Sequence, residues 1–345
     1  MKFSTLIFFL LFSINSICAG FKAVSTPLDW QFPKDHGSHP EYEVEWWYFT
    51  GHLTGQSEYG FEITFFRVSN DIPSSNLTFH PKDFIITHFA LTDVKRQKFY
   101  NYEKINRYLP ELTYTTQNIL NVKNGPYSIY LDSEGFFNIH AKINTESLKL
   151  KLKPTKPITF NGNKGLHKKS EKKNHASHYY TITRLEGTGE ISTDKTLEKV
   201  TASAWMDHEI FTNTDFISTG WNWFACQFDD NTELMVYQLK TKNNTFVKVS
   251  EGSYIDELGN KTPIYFNDQE ITPLAFWKDP KTKIKYPIKW NIKIKSLDIN
   301  ITLTATLNNQ LVKSEILGKN KYYWEGKSKI TGSKTGNAYI ELVNN

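Results

Sequence analysis

The chain has 345 residues, of which 39% are hydrophobic, 15% aromatic and 22% charged, with a formal net charge of +5. This length and apolar content exclude a disordered polypeptide and leave room for about two domains with substantial cores. The mild positive balance, with its lysines not interleaved with aromatics, excludes a nucleic-acid-binding module. A composition of 24 Phe and 18 Tyr against three Met is strand-forming, so the expected fold class is all-β.

Residues 1–19 read as a secretory signal peptide. Lys2 precedes an apolar run from Leu6 to Phe12, and small residues place cleavage near Ala19 or Gly20. The run is too short to cross a bilayer. A periplasmic or secreted protein is therefore expected; lipid anchoring at Cys18 is disfavoured because Ile17 stands where a small residue is needed. Removal of the leader leaves Cys226 as the single cysteine, in an apolar segment, which excludes an internal disulfide.

Segment 27–42 carries Pro, Gly and His and reads as an ordered loop. Within it, Asp35-His36-Gly37-Ser38-His39 sets two imidazoles near Glu41, Glu43 and Glu45. No complete metal-ligand spacing is present, so no metal is expected, and the loop is expected to fold over a barrel mouth. The stretch that follows reads as a β-hairpin. With a side-chain period of two, Trp46, Tyr48 and Thr50 share one face of its first strand, and Glu45, Trp47 and Phe49 share the other. Gly55 to Gly60 supply the turn, and Phe61, Ile63 and Phe65 restore alternation in the return strand. A strand this apolar on both faces is expected to have protein on each side, or one face lining a ligand cavity.

Further strands are expected at 83–94, 98–104, 127–132, 136–141, 147–152, 179–184, 187–192 and 198–207, with a short helix or long loop over 104–124. The polar stretch 161–178, which holds Lys164, Lys168, Lys169, Lys172 and Lys173, reads as a basic loop. The segment AWMDHEI, 204–210, puts Trp205, Asp207 and Glu209 on one face of a strand and Met206 and His208 on the other. Two readings stay open. A desolvated Asp207 or Glu209 would titrate high and act as a general acid with His208 as a shuttle; or a carboxylate accepts donors from a neighbouring loop or indole and is structural. Strand geometry keeps the three consecutive side chains from converging on one metal.

Beyond 220, strands are expected at 221–229, 232–240, 246–256, 284–295, 298–307, 321–331 and 337–342. In KIKYPIKWNIKIK, 283–295, the residues Ile284, Tyr286, Ile288, Trp290, Ile292 and Ile294 form one face and lysines most of the other, while Pro287 argues for an edge or a bulge. An internal repeat is also legible. WWYFTGHL (46–53) lies on WNWFACQF (221–228), matching Trp46 with Trp221 and Tyr48 with Trp223, and YYTITRLEGTGEIS resembles YYWEGKSKITG in the same order. The repeat predicts two β-units, 20–211 and 212–345, built as closed or nearly closed barrels or as a pair of flattened sandwiches. No Gly-x-Ser-x-Gly elbow, phosphate loop or Cys-x-x-Cys pair supports a hydrolase, kinase or redox enzyme.

The strings FPKDHGSHPEYEVEWWYFTGHL, FEITFFRV, SHYYTITRLEGTGEI, AWMDHE, GWNWFACQFDDNTELMVYQL, YPIKWNI, YYWEGKSKITG and NAYIEL, taken in order, resemble the AttH-like / carotenoid 1,2-hydratase (hydroxyneurosporene synthase) family of lipocalin-like proteins. The resemblance implies two lipocalin-like β-domains packed together. In the carotenoid hydratases it implies cofactor-free addition of water across a terminal C=C, in which a carboxylic acid protonates the alkene and aromatic walls stabilise the cation. Fungal relatives include pericyclases that fold around a polyene. The critical residues of the hydratase branch are similar to a His-x-Trp and a Tyr-x-Asp piece. Here these read His208-Glu209-Ile210 and Tyr237-Gln238-Leu239, so the Trp and the acid are absent.

The resulting expectation is an exported, lipocalin-like protein that binds an apolar lipid or polyene-like small molecule without a cofactor. Glu45, Trp47, Trp205, Trp221 and Trp223 are the expected ligand-binding residues, near the domain junction. The alternative is a cofactor-free hydratase, isomerase or cyclase acting on a hydrophobic alkene through Asp207, His208, Glu209 and Tyr237. The expected partners are the hydrophobic small molecule and an envelope export or membrane complex, with no nucleic acid, and the chain is expected to be a monomer.

Overall fold

The computed structural model describes residues 20–69, 83–172, 174–194, 196–212, 220–241, 243, 245–314 and 321–343; the predicted leader with Cys18 and the 213–219 connection lie outside them. One sheet holds thirteen strands: β1 (Val44–Thr54), β2 (Glu58–Ser69), β3 (Asp83–Asp93), β4 (Lys98–Arg107), β5 (Thr113–Thr115), β6 (Asn121–Asn124), β7 (Tyr127–Leu131), β8 (Phe137–Ile143), β9 (Glu146–Pro154), β10 (Thr159–Phe160), β11 (Leu166–Lys168), β12 (Ala176–Thr193) and β13 (Thr196–Phe211). A second holds ten: β14 (Trp221–Phe228), β15 (Glu233–Leu239), β16 (Gly252–Ile255), β17 (Lys261–Ile264), β18 (Gln269–Lys278), β19 (Lys285–Ile294), β20 (Ile299–Ala305), β21 (Leu311–Ser314), β22 (Lys321–Gly332) and β23 (Gly336–Val343). Both sheets are antiparallel and curled, the first nearly into a barrel and the second into a half-barrel. The chain is therefore all-β and lipocalin-like.

The two sheets share one topology. Each opening strand lies mid-sheet, β1 between β2 and β13 and β14 between β15 and β23, and each closing strand returns beside it. The repeated aromatic strands are thus the central staves of two like units. In the first, the ladder stops short of closure, and Asn124 on β6 bridges the gap: its side-chain amide lies 3.1 Å from the carbonyl of Ile85, 3.0 Å from that of Lys104 and 3.0 Å from the Thr87 hydroxyl.

Several expectations need correction. The 104–124 stretch forms no long loop or α-helix; β4 extends to Arg107, and the short strands β5 and β6 follow, because Thr113, Tyr114 and Val122 pair and bury part of their surface. The strands expected at 179–184 and 187–192 are one strand, β12, with a bulge between Ile182 and Leu185. Strand β18, which was not expected, covers one side of β19, so Pro287 sits in an interior strand and not at an edge; the β18–β19 register shifts beside it, which is the bulge that Pro287 also allowed. Nor is 161–178 a wholly solvated loop. His167 and Lys169 are buried, while Lys164, Lys168 and Lys172 are exposed.

Period-two alternation sorts most of the bulky described residues into three main cores. Trp47, Phe49, Phe61, Phe65 and Met206 fill the first unit, and Phe224, Cys226, Trp290 and Ile292 fill the second. The opposite faces of the same central strands, carrying Tyr48, Tyr179, Trp205, Trp223 and Tyr237, pack between the units. Polar ties lock that contact. Glu233 accepts from Lys156 at 2.7 Å and from Arg184 at 2.6 Å, and Gln227 donates to the bulged Thr183 carbonyl at 2.8 Å. On β12, Gly187 lets β9 approach so closely that a Cβ would stand 2.0 Å from the Lys151 carbonyl oxygen. Gly187→Ala is therefore expected to destabilise the fold by about 1–3 kcal/mol, through forced separation of β9 and β12. A urea melt checks it; an unchanged midpoint would contradict it.

Candidate functional site

The space between the units is not completely filled. A cavity of about 540 Å³ lies there, walled by both sheets and floored by aromatics from the repeated strands, Trp46 and Tyr48 from β1 and Trp221 and Trp223 from β14. The two matched residues touch. Tyr48 and Trp223 meet edge to face with centroids 5.4 Å apart, and Trp223 meets Trp205 in the same way at 6.1 Å.

Four carboxyls reach this apolar chamber: Asp207, Glu209, Glu325 and Glu341. Strand register explains their arrangement. Asp207 lies opposite Tyr48 on β1 and Thr181 on β12, and Glu341 lies opposite Trp223 on β14 and Glu325 on β22. Because Tyr48 and Trp223 are matched in the repeat, Asp207 and Glu341 are matched acids. Each takes an indole N–H, Asp207 from Trp205 and Glu341 from Trp221, both at 2.9 Å. Asp207 also accepts from Thr181 at 2.6 Å, and Glu325 from the Tyr48 hydroxyl at 2.6 Å.

Burial dominates their titration. It lifts Asp207 to about 7, against hydrogen bonds from Thr181, Trp205 and Tyr179. It lifts Glu341 to about 7, against the Trp221 hydrogen bond and with help from the charges of Asp207 and Glu209. Glu325 is driven well above the usual range by burial and by Glu62 and Glu341. Glu62, on the same face of β2 as the cavity-lining Thr64, is raised to about 8 by burial, against its hydrogen bond from Thr64. The chamber therefore offers carboxylic acids that are protonated near neutrality.

Glu209 differs because it has a cation. Lys169 pairs with it and lies 5.4 Å from the Tyr179 ring centroid and 5.9 Å from that of Tyr237. Lys169 also donates to His167 Nδ1 at 3.0 Å. His167, held neutral by burial and by Lys169, then donates from Nε2 to the Tyr237 hydroxyl at 2.9 Å. Tyr237 accepts a further bond from the Glu251 N–H at 3.1 Å, which leaves its own proton for a ligand.

On the opposite face of β1 and β13 a second polar cluster is buried inside the first unit, beneath the Asp35–His39 loop. Glu45 accepts from His39 Nδ1 and His208 Nε2, each at 2.8 Å, and from Arg67 Nε at 3.2 Å. Burial would raise Glu45, but the hydrogen bonds from His208 and His39 outweigh it and hold the carboxyl far below its usual range. His36 is lowered to about 3 by burial and by His208; His208 is lowered by burial, against Glu45. The protons can then be ordered: His36 Nδ1 donates to Tyr180, Tyr180 donates to His208 Nδ1, and His208 Nε2 donates to Glu45, over 2.6, 2.9 and 2.8 Å. His39, Glu45 and His208 bring one ligand atom each within 4.8 Å of one another, a zinc-type donor set. A cation there would stand against the Arg67 guanidinium and replace two formed hydrogen bonds.

The structure thus divides the expected site residues. Asp207, Glu209, Tyr237, Trp221 and Trp223 line the junction cavity, and Trp205 packs behind it, hydrogen-bonded to Asp207. Glu45, Trp47 and His208 face the interior of the first unit instead, one pleat away from their neighbours. Glu325, Glu341, His167 and Lys169 were missed. The glutamates sit in aromatic strands as Asp207 does, and that resemblance was the available signal.

Fold and cavity together define a two-unit, lipocalin-like β protein. A profile of the family described as AttH-like matches residues 23–345, and the chain belongs to that family. Its structure is similar to that of the AttH protein NE1406 of Nitrosomonas europaea, with 26% identity and a TM-score of 0.84 over 94% of this chain and 99% of that one. It also resembles kievitone hydratase from Nectria haematococca, with 14% identity and a TM-score of 0.71 over 94% and 96% of the two chains. No curated protein matches the chain.

Proposed function

We propose that this chain is an exported carrier that holds an apolar or polyene-like small molecule in the cavity between its two units. One observation carries the reading: an aromatic chamber of about 540 Å³, set where the backs of two complete β-units meet, with a few convergent polar groups of the kind that orient a ligand. Trp221, Trp223 and Tyr237 form its apolar grip, and Asp207 stands at its wall. The chain purified from its native envelope should carry such a molecule, unmodified and near-stoichiometric, by mass spectrometry. A protein that is empty and also takes up no apolar ligand overturns the reading.

A second reading is favoured by the protonated acids. Asp207, titrating at about 7 beside aromatic rings, has the chemistry to protonate an alkene and so start hydration or cyclisation. Kievitone hydratase, of like fold, is a hydratase by name. Asp207→Asn separates the two. A carrier keeps its affinity for an uncharged apolar ligand within a few-fold, whereas an enzyme keeps binding and loses turnover by about 10²–10⁴. A hydrated or rearranged product recovered with its precursor would select the enzyme.

A further inference from the structure

We infer that the end of the molecule toward which the junction cavity runs is a membrane-docking face. The Tyr108–Leu112 turn and Phe246 enter an anionic lipid bilayer there, while Arg107, Lys168, Lys172 and Lys248 meet its headgroups. The inference goes beyond the carrier and hydratase readings and is compatible with either, because it concerns the surface from which apolar molecules reach the protein.

Strand register places the parts. One level of the first sheet runs from Val44 through Val68 and Phe84 to Arg107, and in the other direction through Phe211 and Ser177 to His167. Val44, Val68 and His167 line the cavity, and His167 is bonded to Tyr237, two residues before the cavity-lining Leu239 of the second unit. Three turns stand beyond this level. Past Arg107 the chain bends through Tyr108, Leu109 and Leu112, held by paired backbone bonds between Leu109 and Thr113, both 2.8 Å. All three side chains are about half exposed, although turn tips are ordinarily polar. Past Ser177 the β11–β12 connection carries Lys168 and Lys172, both exposed. Past Leu239, Phe246 bridges to Lys240 and is exposed, Lys248 is exposed beside it, and Val247 between them packs on the junction aromatics.

An apolar row joins the cavity to this surface. Trp46, Phe66, Ile86 and Ile105 lie side by side on β1 to β4. The first three line the cavity, and Ile105, on the edge strand, is half exposed. Charge selects the occupant. Among the described, exposed side chains of the three turns, Arg107, Lys168, Lys172 and Lys248 outnumber Glu111 and Glu171. Apolar tips among long cationic side chains suit a bilayer with anionic headgroups: the leucines and Phe246 enter the acyl boundary, Tyr108 keeps its hydroxyl at headgroup level, and the lysines extend to phosphate. A second copy of the chain would instead set these cations against one another.

Vesicle flotation tests the inference on the chain from residue 20 onward, which contains the whole described fold and lacks the apolar leader that would enter lipid by itself. Binding to phosphatidylcholine vesicles holding about 30 mol% phosphatidylglycerol should exceed binding to pure phosphatidylcholine at least about tenfold, and should fall as salt rises. Leu109→Ser/Leu112→Ser should weaken it about tenfold or more, and Lys168→Gln/Lys172→Gln about tenfold. Leu274→Ser/Phe276→Ser, on residues equally exposed on β18 but outside these turns, should leave it unchanged. If the leucine variant fails to fold, the lysine pair decides. Binding to neither vesicle, equal binding to both, retention of binding in a folded turn variant, or an equal loss in the β18 variant each overturns the inference. Self-association that the leucine variant abolishes, without vesicle binding, would make a second copy the occupant and overturn it as well. An empty cavity beside intact vesicle binding ends the carrier reading and leaves the docking face standing.

Discussion

Glu45→Ala is expected to destabilise the protein by about 3–5 kcal/mol, a large share of the roughly 5–15 kcal/mol that holds a domain folded. The carboxylate is fully buried and is the common acceptor for two imidazoles, the His39 backbone N–H and the Arg67 guanidinium. Its loss leaves Arg67, also fully buried, with carbonyls of His39 and Tyr42 and a 3.4 Å contact to Asp83 as its remaining partners. It also releases His39, whose own rise in pKa, against burial, comes from Glu45 and Asp35. The cost should appear as a lowered midpoint in guanidinium or heat denaturation, with protease cutting in the His36–His39 loop that the cluster holds down. A variant within about 1 kcal/mol of the native protein would show that the pair merely offsets its own desolvation. Because Glu45 points away from the junction cavity, surviving folded protein should still bind the cavity ligand.

The contrast between Glu45 and Asp207 was only half legible in the sequence. Period-two alternation placed Trp46 and Tyr48 opposite Glu45 and Trp47, and Asp207 opposite His208, and both divisions hold. Alternation does not say which face looks into a barrel and which into the gap between barrels, since Trp47 and Tyr48 are equally apolar. That is decided by how the sheets curl. The repeat was legible as well, but its fine register was not. Matching Glu186-Gly187 with Glu325-Gly326 hid Glu325, whereas in the ladder Glu325 is level with Thr181, opposite the second unit's acid. The two Glu-Gly pairs are therefore not structural counterparts: Glu186 lies beyond the β12 bulge, opposite Ser203 rather than Asp207. Lys169 was hidden for another reason. Four exposed or polar neighbours made its segment look solvated, and only the return of β11 along β12 brings it to Glu209.

Asp207→Asn should have the opposite sign to Glu45→Ala: it should stabilise the protein, and by more as the pH rises. Burial raises Asp207 from an ordinary value of 3.8 to about 7. A group whose folded value is raised contributes fully below its unfolded value and loses that contribution as pH rises through the folded one. Between about pH 4 and 7 the unfolded chain gains from ionising Asp207 while the folded chain keeps it protonated, so the native protein loses about 1.4 kcal/mol per pH unit from this residue. Asparagine keeps an oxygen for Thr181 and Trp205, which both bond Oδ1, and carries no charge. The stability difference should therefore be near zero at pH 4, rise to as much as about 4 kcal/mol by pH 7.5, and stay level above. The difference is the quantity to measure, because the native curve mixes opposing groups. His36 and His178, lowered by burial to about 3 and about 4, add stability as pH rises toward 6.5, and Lys327, lowered to about 8, adds it at higher pH. Glu341 and Glu62 act with Asp207, so once the histidines stop compensating near pH 6.5 the native protein should itself weaken, until these acids ionise in the folded chain at about 7 to 8. Urea melts of both proteins at four or five pH values decide it. A difference that does not change with pH would mean that Asp207 is ionised in the folded chain at pH 5, and the acid on which the hydratase reading depends would be absent. A rising difference would establish a protonated carboxyl in the cavity wall, available to donate its proton to a bound alkene.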